Sequence, residues 1–411
     1  MNATARNCEL LTLAALVLLA AAPVAADTYQ VDRTDDTIHS QCDPGTYPDC
    51  SLRGAIIKAN NHAGDDTVVL GSHTYTLSIF GRNEDQNQTG DLDVRDTLTI
   101  RGNGPEYTVI DGGDIDRVLH VIAAGGRLTV RGVTITGGDG GSQSGGGLFV
   151  SQGSLTLRSC IVGGNGTNSS GGGLYDAAGN ISNPVEIVDS WFVVNSAQNG
   201  SALHATSRLY MEHSTLSNNF ANADSVAVIA GDGSILQNST IALNAGSDVG
   251  GVTILAPSVQ LWGCTLYDND WGQLHAISHQ PTLSNTLIVG ECSSSTDVVT
   301  LGGNLESPGN TCGLGASDLV NVGNPMMGTL GLFGGGSPVI RPLPGSPVID
   351  QSIATPNCPC YDQRGLWRPF DGGGPSTAVC DIGAVELVDA GEIFVEIFET
   401  GFTTSWTAVV P

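Results

Sequence analysis

Two arginines and two large aromatic residues in the middle of the chain are the side chains best suited to contact a sugar. Arg131 and Arg158 occupy the same position in adjoining repeated segments, and Tyr210 and Trp262 follow in later ones. Because successive side chains of a strand point to opposite sides, this spacing predicts that all four lie on one outward face. Guanidinium groups bind sugar oxygens, and aromatic rings pack on apolar sugar faces. The pattern indicates a candidate glycan groove; the alternative is a solvated face of mixed charge.

A second cluster combines carboxylates with aromatic rings in a later repeat. Asp268 and Asp270 flank an asparagine, and Trp271 and His275 follow shortly after. Two carboxyl groups about 5 to 10 Å apart can hydrolyse a glycosidic bond, but the sequence does not give their separation. We therefore treat the cluster as a candidate for glycan chemistry and assign no catalytic residue.

Three closely spaced aspartates form a candidate calcium site. Asp111, Asp114 and Asp116 offer carboxylate oxygens, which are the ligands that Ca²⁺ takes in proteins. The alternative is an ordinary turn between early coils, which needs no cation. The eight histidines show neither HxH nor HExxH spacing. We assign no cofactor, and calcium remains a candidate.

A repeat of roughly 25 residues is the pattern that positions these side chains. Seven similar segments begin 22 to 30 residues apart, at Leu128, Leu155, Val185, Leu209, Ser234, Val259 and Pro281, with glycine-rich segments between them. Such a period is typical of solenoids, in which stacked coils share one core. Together with 56 glycines and 5% aromatic residues, it predicts an all-β, right-handed parallel β-helix with a short N-terminal capping helix.

The register of the repeats makes two further predictions. The eleventh position of five consecutive segments is asparagine, which predicts a column of stacked amides: Asn165, Asn195, Asn219, Asn244 and Asn269. Cys160 and Cys264 hold equivalent positions four segments apart, roughly four strand spacings of about 4.8 Å. A disulfide needs Cα atoms within about 7 Å, so we expect both thiols to be free and buried.

The net charge limits the partners of the chain, and the cysteines and N-terminus indicate its compartment. Acidic residues outnumber basic ones by 41 to 15, giving a charge of −26, which disfavours nucleic acid and anionic lipid. Residues 1–26 have the short apolar stretch of a signal peptide. The remaining cysteines suit an oxidising compartment; the candidate disulfide residues are Cys42 with Cys50, Cys292 with Cys312, and Cys360 with Cys380, while pairing among Cys358, Cys360 and Cys380 stays open.

Both ends of the chain resemble known families. Cys50-Ser51-Leu52-Arg53-Gly54-Ala55-Ile56, preceded by Cys42, resembles the CSLREA domain of secreted β-helix proteins, with Gly54 where that motif has Glu. Asp362-Gln363-Arg364-Gly365, Arg368-Pro369 and Asp381 to Glu386 resemble the choice-of-anchor Q domain. Ser51 to Asn60 has the pattern of a short amphipathic helix, with Ser51 as N-cap and Leu52, Ala55, Ile56 and Ala59 on one face, and the first resemblance implies that this segment is a cap. The second implies an ion-pair network of Asp362, Arg364, Arg368 and Asp381 that closes the last coil.

These observations divide the chain into five parts: a signal peptide at 1–26, a CSLREA-like cap at 27–70, the repeats at 71–320, a choice-of-anchor Q-like cap at 321–388, and at 389–411 a tail similar to export motifs. The repeats resemble the pectin-lyase-like superfamily, whose members range from lyases to adhesins. We expect a secreted or surface-associated protein, without a transmembrane segment in its mature chain, that acts in adhesion or contacts extracellular polysaccharide or cell-surface glycan, without demonstrated catalysis. The alternative function is a polysaccharide lyase or glycoside hydrolase.

Overall fold

A computed structural model describes residues 25–122, 124–246, 250–293, 298–352, 358–370 and 379–388. The predicted signal peptide up to residue 24 and the predicted tail at 389–411 lie outside these residues. The described residues form an all-β parallel solenoid of about eight turns with a single α-helix. The predicted fold class is confirmed. Among the described residues no helix is long and apolar enough to cross a membrane.

Three long parallel sheets form the walls of the solenoid. The eleven-stranded sheet contains β1 Thr28–Gln30, β2 Asp66–Val69, β5 Leu98–Arg101, β8 Arg127–Arg131, β11 Ser154–Arg158, β14 Val185–Val188, β18 Leu209–Glu212, β22 Ile235–Gln237, β26 Gln260–Trp262, β29 Thr282–Ser284 and β31 Val299–Thr300. The eight-stranded sheet contains β4 Leu92–Val94, β7 Leu119–Val121, β10 Leu148–Val150, β13 Leu174–Asp176, β17 Leu203–Ala205, β21 Ala227–Ile229, β25 Val252–Ile254 and β28 Leu274–Ala276.

The third wall is the ten-stranded sheet, and a short fourth sheet accompanies it. The ten-stranded sheet contains β3 Thr74–Thr76, β6 Val109–Asp111, β9 Thr134–Thr136, β12 Ile161–Gly163, β15 Trp191–Val193, β19 Thr215–Ser217, β23 Thr240–Ala242, β27 Thr265–Tyr267, β30 Leu287–Val289 and β32 Leu305–Ser307. The three-stranded sheet contains β16 Ser196–Ala197, β20 Phe220–Ala221 and β24 Ala245–Gly246. Each central coil contributes one strand to each wall, so residues one repeat apart become neighbours.

The predicted asparagine column is present. The amide Nδ2 of Asn195 donates to Oδ1 of Asn219 at 3.0 Å, and that of Asn219 donates to Asn244 at 3.1 Å. The same bond joins Asn165 to Asn195 and Asn244 to Asn269. At the far end the column finishes on Gln273, whose Oε1 accepts from Asn269 Nδ2 at 2.7 Å. The column saturates buried amides, so its role is structural.

The α-helix, α1 Leu52–Asn60, packs against the first coils with Leu52, Ala55, Ile56 and Ala59 buried, as the sequence predicts. Ser51 caps it by accepting a hydrogen bond from Gly54 N at 3.1 Å. Gly54 lacks a side chain for a reason that the sequence does not show. A Cβ at this position would lie 1.9 Å from the carbonyl oxygen of His39, so only glycine permits this close approach.

Among the described residues, disulfides join Cys42 to Cys50, Cys292 to Cys312, and Cys358 to Cys380. The first two join the residues predicted from sequence, and the third lies among the three C-terminal cysteines whose pairing the sequence left open. Cys160 and Cys264 are free and buried, as expected. Both thiols stay free because the two residues lie four coils apart, too far to form a disulfide.

We expect both free thiols to resist alkylation in the folded protein. Burial raises the pKa of Cys160 to about 11 and that of Cys264 to about 12, and only the thiolate is a nucleophile. Peptide mapping after iodoacetamide treatment at pH 8 should find Cys160 and Cys264 unlabelled in the native chain and labelled in guanidinium. Labelling of the native chain at the rate of a free thiol would contradict this.

The described residues of the C-terminal segment, which begins at Met327 and is described up to Val388, lie along the side of the solenoid. Gln363 Nε2 donates to Thr215 Oγ1 at 2.7 Å, and Thr240 Oγ1 donates to Gln363 Oε1 at 2.6 Å. Further along, Ala384 N donates to Thr265 Oγ1 at 3.0 Å. The three threonines are register partners on β19, β23 and β27. Their row of hydroxyls gives the segment a lateral binding surface beside several coils, and Val348 and Ile382 also pack against Leu287 and Leu305 on the last strands of that sheet.

One ion pair of the network predicted for this segment, between Asp362 and Arg364, is present. Arg364 pairs with Asp362 at 2.7 Å, and Arg368 pairs at 3.1 Å with Glu386, a partner that the sequence interpretation did not assign. Asp381 accepts hydrogen bonds from Asp350 N and Leu387 N at 2.9 and 2.6 Å. These contacts hold the turns of the segment together.

Candidate functional site

The four residues of the predicted glycan groove all lie on the eleven-stranded sheet. Arg131 and Arg158 are register partners, and Trp262 continues their column four strands further on. Tyr210 lies in the adjacent column of the same face, opposite Glu186. Arg158 and Trp262 are therefore roughly 19 Å apart, since strands are spaced by about 4.8 Å. The four residues share a long face and do not converge on one point.

Two glutamates of this face contact the polar groups of Arg158 and Tyr210. Arg158 Nη2 lies 3.4 Å from Glu186 Oε2, and the Tyr210 hydroxyl donates to Glu212 at 2.7 Å. Burial and the neighbouring Glu212 raise the pKa of Tyr210 above its usual range. These contacts agree with the alternative of a solvated face of mixed charge.

The other two predicted clusters are dispersed. Asp268 and Asp270 flank Asn269, which belongs to the asparagine column, and the exposed Trp271 follows in the left-handed region at φ 60°. Among the described residues, no hydrogen bond or ion pair joins either carboxylate to His275, which lies on β28. The conformation of the turn that contains Asp268 and Asp270 therefore follows from the place of Asn269 in the asparagine column.

The aspartates of the calcium candidate also point apart. Asp111 accepts a hydrogen bond from Gly113 N at 2.9 Å and so closes its own turn. Asp114 is exposed, and Asp116 is buried. In the described part of the chain, the acidic and histidine side chains that converge tightly enough to hold a metal ion are Asp85, Asp93 and His120.

An open cleft of about 440 Å³ lies on the outward face of the eight-stranded sheet. Its lining combines amide, carboxylate, guanidinium and aromatic groups: Asn83, Asp85, Arg117, His120, Gln143, Ser144, Phe149 and Tyr175. Most binding sites are concave and mix apolar surface with a few polar groups that fix orientation. By this criterion the cleft is a better candidate site than the three clusters predicted from sequence.

A column of rings forms the floor of the cleft. His120, Phe149, Tyr175 and His204 are register partners on β7, β10, β13 and β17. The ring centroids of His120 and Phe149 lie 4.8 Å apart, and those of Phe149 and Tyr175 lie 5.7 Å apart, both pairs stacked. Because the faces of His120, Phe149 and Tyr175 cover one another, these three rings present their edges, which carry partial positive charge, to the cleft.

Buried charges form the adjacent wall. Arg117 Nε donates to Asp91 Oδ2 at 2.7 Å, and Arg117 Nη1 donates to Gln143 Oε1 at 3.0 Å. Burial raises the pKa of Asp91 to about 6, although Arg117 opposes the shift. Burial also raises the pKa of Asp116. Acidic groups outnumber arginines around this wall, so it favours neutral or cationic ligands over polyanions.

The helix α1 positions one side of the cleft. Arg53 is fully buried and donates to the carbonyl oxygens of Gly90 and Asp91 at 2.7 and 3.1 Å. It also pairs with Asp36 at 2.6 Å. Arg53 thereby fixes the end of the 81–91 loop, which carries Asp85 over the sheet.

The sequence interpretation missed this cleft although part of its signal is visible. The glycine-rich segments align Phe149, Tyr175 and His204 at one position, each directly after the leucine of its segment. That alignment could have revealed the ring column. The 81–91 loop precedes the first recognisable repeat, so its place above His120 has no repeat signal. No protein-family model matches the chain, and no curated protein matches it.

Proposed function

We propose that the protein is a secreted or surface-associated β-helix that binds an extracellular glycan in the cleft beside Phe149 and Tyr175. The single observation that carries this proposal is the lining, in which ring edges lie next to amide and guanidinium donors and a carboxylate acceptor. Such groups together can saturate sugar hydroxyls, which both donate and accept hydrogen bonds.

The charge of the cleft selects the kind of glycan within this proposal. Three carboxylates lie in or beside the cleft: Asp85 in its lining, Asp91 paired with Arg117, the single lining guanidinium, and Asp116 paired with Arg82. A polyuronate would be repelled by these groups and by the net charge of −26. The proposed ligand is therefore a neutral polysaccharide.

Extracellular location and the end domains belong to the same proposal. Three disulfides support an oxidising compartment. The CSLREA resemblance fits a helix that covers the first coils, and the choice-of-anchor Q resemblance fits the segment that carries Arg364 and Arg368. We propose that residues 1–26 are removed on export and that 27–70, 71–320 and 321–388 are the cap, the repeats and the anchor-type segment.

The test is binding of the purified mature chain to an array of neutral and acidic polysaccharides, followed by affinity measurements on two alanine variants. We expect Tyr175→Ala to weaken binding at least tenfold, which corresponds to about 1.4 kcal/mol, because it removes a lining side chain. Tyr210→Ala, on the outward face of the eleven-stranded sheet, is the matched control and should bind like the parent. Loss of binding in Tyr210→Ala alone would assign the glycan to the groove predicted from sequence.

The alternative function is a polysaccharide lyase or glycosidase. The raised pKa of Asp91 would suit an acid catalyst. Asp91 is only 1% exposed, however, and its Oδ2 accepts a hydrogen bond from Arg117. No observation therefore favours the enzymatic function. Release of unsaturated uronides that stops in Arg131→Ala or Arg158→Ala would favour a lyase. If the protein neither binds nor degrades any polysaccharide tested, a purely structural role would be favoured.

A further inference from the structure

Three electron-pair donors converge where the 81–91 loop meets the eight-stranded sheet. Nδ1 of His120 lies 3.4 Å from Oδ1 of Asp93 and 3.8 Å from Oδ1 of Asp85. All three atoms lie within 4.8 Å of one another. Asp93 is fully buried and His120 is 6% exposed, whereas Asp85 lies on the exposed side. The group is therefore closed on one side and open to solvent on the other.

The hydrogen bonds of His120 fix which ring nitrogen carries a proton. The Ser151 hydroxyl donates to the carbonyl oxygen of Val121 at 3.1 Å, so its oxygen is left to accept. His120 Nε2 lies 2.9 Å from that oxygen, which can therefore accept a hydrogen bond from an Nε2–H group. In the neutral ring, Nδ1 then presents a lone pair to two carboxylate oxygens. An outer hydrogen bond of this kind is the usual device that orients a metal-binding histidine.

Asp93 is held rigidly in the same arrangement. Its Oδ2 accepts from Asn87 N at 3.1 Å, and its backbone N donates to Asn87 Oδ1 at 2.9 Å. Neither Asp93 Oδ1 nor His120 Nδ1 has a hydrogen-bond partner among the described residues, although both are buried. A buried polar atom without a partner costs about 1 to 3 kcal/mol. Two such atoms aimed at one point indicate that a cation belongs between them.

We propose that Asp85, Asp93 and His120 bind a divalent transition-metal ion of the Zn²⁺ type. Zn²⁺ binds imidazole nitrogen and carboxylate oxygen at about 2.0 to 2.2 Å, which places neighbouring tetrahedral ligands about 3.3 to 3.6 Å apart. The Asp93–His120 distance of 3.4 Å meets this spacing, and the exposed Asp85 has freedom to close on the ion. The imidazole disfavours Ca²⁺ and Mg²⁺, which take oxygen ligands. The fourth position faces the cleft. The site does not depend on glycan binding.

The test is calorimetric titration of the chelator-treated mature chain with Zn²⁺ and, separately, with Ca²⁺. We expect one Zn²⁺ site, no comparable Ca²⁺ site, and a Co²⁺ derivative with the intense visible bands of tetrahedral coordination. His120→Phe keeps the ring stacked on Phe149 but removes Nδ1, and Asp93→Asn keeps the side-chain shape. Each should weaken Zn²⁺ binding at least tenfold.

Two further variants keep the test decisive. His204→Phe changes a histidine of the same ring column outside the cluster and should bind Zn²⁺ like the parent. Asp85→Asn alters only the exposed ligand. Its Zn²⁺ affinity therefore tests the site even if His120→Phe or Asp93→Asn fails to fold. Equal Zn²⁺ affinity in His120→Phe, Asp85→Asn and the parent, tighter binding of Ca²⁺ than of Zn²⁺, or no Zn²⁺ binding would overturn the proposal. A proton or a water molecule would then join these atoms.

Discussion

Replacing Asn219 by alanine is expected to lower the free energy of unfolding by about 3 to 5 kcal/mol. Asn219 Oδ1 accepts from both the backbone N and the Nδ2 of Asn195, each at 3.0 Å. Its Nδ2 donates to Asn244 Oδ1 and to the carbonyl of Phe192, at 3.1 and 3.0 Å. Asn195 and Asn244 are each 1% exposed, so water cannot replace these bonds without opening the coil.

Equilibrium urea denaturation followed by circular dichroism measures this loss. Asn218→Gly is the matched control, because Asn218 is exposed and has φ 54°, a conformation that glycine adopts without strain. The control should leave the midpoint nearly unchanged. A loss below about 1 kcal/mol in Asn219→Ala would mean that the column contributes little beyond its geometry.

Arg368→Leu is expected to destabilise the docked C-terminal segment by about 3 to 5 kcal/mol at pH 8. The side chains of Arg368 and Glu386 are both fully buried and 3.1 Å apart. Arg368 Nη2 also donates to the carbonyl of Gly383 at 2.7 Å. Without the guanidinium, the carboxylates of Glu386 and Asp381 would be buried with no cation beside them.

The loss in Arg368→Leu should shrink as the pH falls. Burial raises the pKa of Glu386 to about 7 and that of Asp381 to about 6, against unfolded values of about 4. The folded chain therefore binds more protons than the unfolded chain between about pH 4 and 7, and the contribution of these groups to stability falls as the pH rises. Removing the guanidinium raises both pKa values further. At pH 5 the carboxyls are mostly neutral, so we expect a deficit of only about 1 to 2 kcal/mol.

Urea denaturation of parent and variant at pH 5 and pH 8, with limited proteolysis of the segment, measures both effects. Arg127→Gln removes an exposed arginine of β8 and serves as the control, with no expected change at either pH. A deficit in Arg368→Leu that is independent of pH would show that the guanidinium acts through packing and not through charge.

Repeat spacing was sufficient to predict the columns of the solenoid. Asn195 and Asn244 recur at one position of their segments, so stacking of the coils follows from period alone, and the same argument separates Cys160 from Cys264. Placing Arg131 beside Arg158 succeeded for this reason. The period of the repeat does not predict how a column ends. At the end of the asparagine column, Asn269 donates to Gln273, which does not occupy the asparagine position of a repeat.

The candidate site depends on contacts that have no period. Asp93 and His120 are register partners on β4 and β7, but Asp85 reaches them only because the 81–91 loop folds back over the sheet, held by Arg53 from the helix. These residues are far apart along the chain and precede the first aligned segment. Gly54 shows the same limit, since helix propensity predicts only a loss there, whereas the approach of the His39 carbonyl requires it.

Lateral docking of the C-terminal segment changes how the solenoid responds to force. Coils that touch only their neighbours peel away one after another from a free end. Here Gln363 ties β19 to β23, and Ala384 reaches Thr265 on the next coil. The segment is hydrogen-bonded to three successive coils. A force applied from the C-terminal side therefore acts on these coils together, in shear, before any single coil can detach.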